Sequence, residues 1–343
     1  MRRDGLGTMK SNQRRIPFIY KLIAGLILFI AVFIVAIVFG AVNISAKDIY
    51  LAIASEETSE AISIIRDIRL PREIAAVFVG AALAIAGAIM QGMTRNPLAD
   101  PGLLGLTSGA NAALAFTIAL IPSANFFGIM VACFIGSAIG AMMVFGIGSM
   151  KKGGFSSYRI VLAGAAVSAF LYAIAEGIGL YFRISKHVSM WTAGGLVGTT
   201  WSQLQVIVPI ITIGIFIAIA LSKQLTILSL SEELAVGLGQ KTIQIKAILF
   251  IVIILLAGAA VALVGNMAFI GLIVPHITRF IVGTDYRFII PMSAVVGGIF
   301  MLLADTVGRT IYAPFETSVI AIVAIMGLPF FLLIVRKGGN AFS

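Results

Sequence analysis

Runs of mostly apolar residues, many about 18 to 24 long, follow one another along most of this chain. At a rise of about 1.5 Å per residue, ~20 residues of helix cross the ~30 Å hydrocarbon layer of a bilayer. Barrel strands would instead read as ~10-residue alternating segments. The pattern predicts an all-α polytopic membrane protein. Composition agrees: of 343 residues, 60% are hydrophobic and 11% charged, against about 25% charged in soluble domains. A water-soluble globule of this size could not bury that much apolar surface.

About ten transmembrane helices are expected, near 22–42, 74–91, 103–121, 126–149, 160–180, 203–221, 246–264, 267–282, 288–304 and 316–335. Pro101, Pro122 and Pro275 predict short, tilted or broken helices in the third and eighth. The first run is too long for a signal-peptide core and is read as retained. The expected organisation is a basic N-terminal segment over 1–21, a transmembrane domain over 22–337, and a tail over 338–343.

The net charge of +10 is distributed as topology rather than as a nucleic-acid surface. With the N-terminus inside, the cytoplasmic segments hold 17 of the 24 lysines and arginines. The positive-inside rule then places both termini in the cytoplasm. Cys133 has no second cysteine to pair with. Gly136 and Gly140, and Gly80, Ala84 and Gly87, form small-residue faces suited to close helix packing.

Against the charge bias, IRDIRLPRE (65–73) sets Arg66, Arg69 and Arg72 on the outer side, with Pro71 expected to interrupt any helix they begin. Ionisable residues inside the spans are few: Glu176 and Asp305 near outer ends, His276 within the eighth. A proton- or sodium-driven transporter would normally carry more. The chain also lacks the G-x-x-x-x-G-K-[ST] phosphate loop. No nucleophile–base constellation or metal-ligand cluster is visible, so no catalytic residue, metal or cofactor is expected, and His276 reads as structural.

LSLSEELAVGLGQKTIQIK (228–246) is longer than a connecting turn. Ser231 reads as the cap of a short helix through Glu232, Glu233, Leu234, Ala235 and Val236, which Gly237 and Gly239 stop. The pattern alone suits a loop ornament and a docking knob equally.

RLPREIAAVFVGAALAIAGAIMQGMTRNPLADPGLLGLTSGA (69–110), GNMAFIGLIVPHITRF (265–280) and MLLADTVGRTIY (301–312) resemble the signatures of the iron-siderophore and vitamin B12 permease subunits of ATP-binding-cassette importers. The resemblance covers about residues 20 to 337. It implies a ten-helix subunit that pairs with a second permease, identical or paralogous, sits on two cytoplasmic ATPase subunits, and receives cargo from an extracytoplasmic binding protein. The location implied is the bacterial cytoplasmic membrane, among lipid, with no nucleic-acid partner.

The resemblance also implies roles. Arg69, Arg72 and Arg309 match positions that pair with binding-protein carboxylates; Arg66 has no firm counterpart in the motif and is read as an accessory. Residues 231–239, including Leu238, match the segment that transmits the ATPase cycle. Asn96, Leu98, Ser157 and Tyr158 match the cytoplasmic gate, with Tyr158 bulkier than the usual small residue. Ser318 and Ile320 stand where proline and glycine are common. The expected function is inward transport of an iron-siderophore complex along a path of apolar and small polar residues. Haem or corrinoid transport is the alternative within the family, and a secondary transporter the alternative outside it.

Overall fold

The computed structural model describes residues 16–39, 45–55, 57, 59–149, 157–313 and 315–336. Among these every regular element is helical: α1 (Phe18–Val38), α2 (Ala46–Ala54), α3 (Glu60–Ser63), α4 (Leu70–Thr94), α5 (Leu106–Leu120), α6 (Phe126–Ser149), α7 (Ser157–Tyr181), α8 (Ser185–Ala193), α9 (Trp201–Ala220), α10 (Ser222–Leu230), α11 (Glu232–Gly237), α12 (Thr242–Val264), α13 (Ile270–Val282), α14 (Tyr286–Thr310) and α15 (Val319–Arg336). Seven helical stretches are long and apolar enough to cross a membrane, and α5, α13 and most of α15 are shorter apolar helices.

Ten of these helices coincide with the ten expected runs, but the second begins earlier than expected. Pro71 does not interrupt it. A π-helical turn over Ile64–Arg69 joins α3 to α4, and Pro71 occupies the first turn of α4. Proline lacks an N–H and crowds the carbonyl four residues back. The Leu70 N–H bonds to the Ile65 carbonyl, the wider i→i−5 register in which a bulge accommodates such a residue.

Helix α4 is the axle of the bundle, packed by α14, α12, α13, α9, α10 and α1. Its small residues make that possible. A Cβ on Gly80 would lie 2.2 Å from the Gly297 carbonyl oxygen, and one on Gly87 would lie 1.9 Å from that of Gly271. Gly136 and Gly140 of α6 meet Gly109 and Gly105 in the same way, so both expected small-residue faces are backbone-to-backbone contacts.

Helix α13 continues through Pro275. The ring removes the N–H that would bond to the Gly271 carbonyl, and the buried Gln91 side chain of α4 donates to that oxygen instead, at 3.1 Å. Such outside satisfaction lets proline persist in a membrane helix.

Cross-helix contacts sort the loops into two ends. At one, the Lys21 ammonium donates to the Ile281 carbonyl at 2.6 Å, and Thr226 bonds both Asp285 and the Tyr286 N–H. At the other, the Arg309 guanidinium meets the Ala36 carbonyl, and the Trp201 indole donates to the Arg66 carbonyl. Below, these are the Lys21 end and the Asp305 end.

Candidate functional site

Three arginines and three carboxylates meet at the Asp305 end. Arg72 bonds Asp305 through Nε and Nη2 at 2.9–3.1 Å, and holds Glu316 through Nη1 at 2.8 and 3.0 Å. Arg309 pairs with Glu73 through Nη2, and its Nε lies 3.0 Å from Asp305. Arg69 donates to the Ile37 and Val38 carbonyls at the end of α1. Asp305 and Glu73 are fully buried, whereas the Glu316 side chain is 35% exposed. Three positive and three negative side chains leave the cluster formally neutral, as burial of charge demands.

The three arginines predicted to face outward carboxylates are thus brought together, and each is engaged within the chain. Arg66 is likewise tied down: its guanidinium donates to the Ala52 carbonyl at 2.8 Å, to those of Glu57 and Leu51, and to that of Ser55. These acceptors belong to the last turn of α2 and the residues that follow it. Arg72 and Arg309 bond partners 233 to 273 residues away in sequence, which no local pattern announces, whereas Arg309 and Asp305 are one turn apart on α14.

Beside this cluster a cavity of about 420 Å³ opens between α5, α7, α8 and the start of α15. Ala175, Val188, Ile320, Ala321 and Ala324 supply its apolar wall; Asn111, Tyr172, Glu176, Ser189, Asn266 and Ser318 supply polar groups. Tyr172 and Glu176 stand one turn apart on α7 and both line the cavity. Both departures noted in the tenth helix, Ser318 and Ile320, fall on this wall. Glu316 sits two residues before it, so the charged cluster anchors the segment from which the wall is built.

At the Lys21 end, Arg95 ends α4 in the left-handed region (φ 52°), and the Asn96 side chain accepts the Leu98 N–H at 3.0 Å. Asn96 then lies against Ile160 and Val161 in the first turns of α7. Asn96 and the first turns of α7 thus line one small pocket. Leu98 is half-buried in the same turn. Ser157 and Tyr158 open α7, and their side chains lie outside the described part.

The 228–246 segment forms the expected short helix. The Ser231 hydroxyl accepts the Leu234 N–H at 3.0 Å. Gly239, at φ +78°, closes α11 with the Gln240 N–H bonded to the Ala235 carbonyl, a glycine-dependent helix end. The Lys246 ammonium reaches Glu232 at 2.6 Å, pinning α11 to α12. Ala235 is buried inward, while Leu234, Val236, Leu238 and Ile243 all point to the exterior. Glu233 and Gly237 are also exposed.

Comparison with known proteins completes the description. The model of the FecCD transport family matches residues 27–337. The chain belongs to the FecCD transport family. Among FecCD relatives, the iron(3+)-hydroxamate import system permease protein FhuB of Bacillus subtilis (strain 168) is 43% identical over 92% of this chain and 83% of its own length. The iron-uptake system permease protein FeuB of the same organism is 40% identical over 90% and 92%. The hemin transport system permease protein HmuU of Yersinia pestis is 36% identical over 90% and 94%. A solved inward-facing structure of a metal-chelate type ABC transporter superposes with a TM-score of 0.81 at 25% identity, over 93% of this chain and 99% of that one.

Proposed function

We propose that this chain is the permease subunit of an ATP-binding-cassette importer that carries iron-siderophore complexes inward across the bacterial cytoplasmic membrane. The observation that carries the reading is the family match over nearly the whole chain, with iron(3+)-hydroxamate and iron-uptake permeases among the relatives. In this reading α1, α4, α5, α6, α7, α9, α12, α13, α14 and α15 span the membrane and both termini are cytoplasmic. Charge distribution supports that orientation: with this topology 17 of the 24 lysines and arginines fall in cytoplasmic segments of the sequence.

The chain moves cargo without catalysing a reaction of its own; two separate ATPase subunits supply the energy and a second permease completes the path. Residues 231–239 are the coupling segment, supported by an apolar face turned outward on a helix braced from within by Lys246. An exposed apolar patch marks a contact surface. Asn96, Leu98, Ser157 and Tyr158 form the inner gate, supported by the meeting of the 96–100 turn with α7.

The rim built on Arg69, Arg72 and Arg309 is the face that receives the extracytoplasmic binding protein. Glu316 is the one partly exposed acid of the cluster, so an incoming carboxylate competes with it for Arg72, a fork suited to bidentate exchange. The test is uptake of radioiron from a panel of ferric siderophores by cells that have this chain or lack it. Chain-dependent uptake of at least one complex is expected. Absence of any, with haem or corrinoid uptake in its place, overturns the cargo assignment.

A further inference from the structure

The cavity beside the charged cluster has an uneven chemistry. It is lined by one carboxylate, Glu176, with two asparagines, two serines and a tyrosine, and by no lysine, arginine or histidine. Arg183, Lys186 and His187 lie on the turn and helix next to it, exposed and outside its lining. Among the described lining residues Glu176 is the one charged group, so an ammonium that reaches this wall meets a carboxylate and an anion meets like charge, while the neighbouring cations stand off the lining. The two amides and two hydroxyls suit a cargo rich in carbonyl and N–H groups.

The volume, about 420 Å³, lies in the range of small-molecule sites. Glu176 is solvent-exposed, so its field acts through water and attracts weakly. Weak attraction is what a path needs, since cargo must leave as well as enter.

We infer that this cavity contacts cargo entering from the Asp305 end and that Glu176 sorts it by charge, favouring ferric complexes that carry an ammonium group over neutral ones and disfavouring anionic ones. The inference rests on the permease reading above. It assigns to the membrane subunit a share of the selectivity otherwise left to the binding protein.

The test compares two iron(III) trihydroxamates that differ only in one amine, free in the first and N-acetylated in the second. Uptake of each is measured in cells carrying wild-type chain, Glu176→Gln or Glu176→Lys, with the binding protein unchanged and membrane abundance checked by immunoblot. The ratio of ammonium to acetylated uptake is expected to fall about three- to tenfold in Glu176→Gln, the span given by one charge pair at ~4 Å in water. It should fall further in Glu176→Lys. Asn266→Asp, which adds a second carboxylate to the same wall, should raise it, and keeps the test alive if the Glu176 variants do not accumulate. Ratios equal to wild type in every variant that reaches the membrane overturn the proposal. Absence of chain-dependent uptake of every complex in the siderophore panel, these two included, overturns the iron-siderophore reading instead.

Discussion

Arg72 sits where two acids and one proline converge, and each restricts what else can stand there. Its fork meets Asp305 and Glu316 at once, so lysine, a point charge with no planar fork, cannot replace it. Arg309→Met leaves fully buried Glu73 without its partner. Breaking a buried pair in this way costs about 3–5 kcal/mol, and the thermal midpoint of the purified complex in detergent should fall accordingly. Gln91→Leu orphans the Gly271 carbonyl that Pro275 has already deprived of its helix donor. A loss of about 1–3 kcal/mol is expected, and Pro275→Ala in the same chain should recover part of it by restoring the N–H. No recovery would show that Gln91 stabilises by packing alone. At this scale the sequence was legible in kind but not in pairing. The three arginines stood out because charge is rare here, yet Arg72 finds its acids, and Arg309 its Glu73 partner, more than 230 residues away, and such pairs leave no periodicity to read; the Arg309–Asp305 pair, one helical turn apart on α14, is the local exception.

Among the elements, legibility followed length. Apolar runs announced a helix at each of the ten expected places, seven of them in stretches long and apolar enough to cross a membrane and the second starting well before its run, because backbone groups in lipid admit few alternatives. The short pieces α2, α3, α8 and α10 were not foreseen; they are polar or mixed and take their shape from what they cover. Helix contacts were legible where glycines recurred on one face. Gly80→Val places bulk where even a single Cβ would lie 2.2 Å from backbone. It should separate α4 from α14 and abolish folded protein on size-exclusion chromatography, whereas Gly146→Ala, with nothing within 4 Å, should leave the profile unchanged. At the end of α11, Gly239→Ala forces a β-carbon into the left-handed region, at a cost of roughly 1–2 kcal/mol. ATPase activity stimulated by the binding protein should drop while the transmembrane bundle keeps its melting temperature.

For the whole molecule, function divides between the two ends. One end holds a neutral knot of buried charge beside a cavity; the other presents an apolar knob and a polar turn. Leu234→Asp with Leu238→Asp removes apolar surface that touches nothing within the chain's core, so ATPase subunits should no longer co-purify although the permease still folds. Retained co-purification would place the coupling contact elsewhere. Helix α4 ties the ends together, running from the arginine rim to the Asn96 turn within one largely buried rod.

That rod also sets an order of events during synthesis. Arg72 and Glu73 leave the ribosome 233 and 236 residues ahead of Asp305 and Arg309. At roughly 5–20 residues per second the interval is tens of seconds, during which α4 waits in the bilayer with charges that have no mates. A nascent chain that ends before α14 therefore keeps Arg72 and Glu73 without the partners that neutralise them in the folded protein.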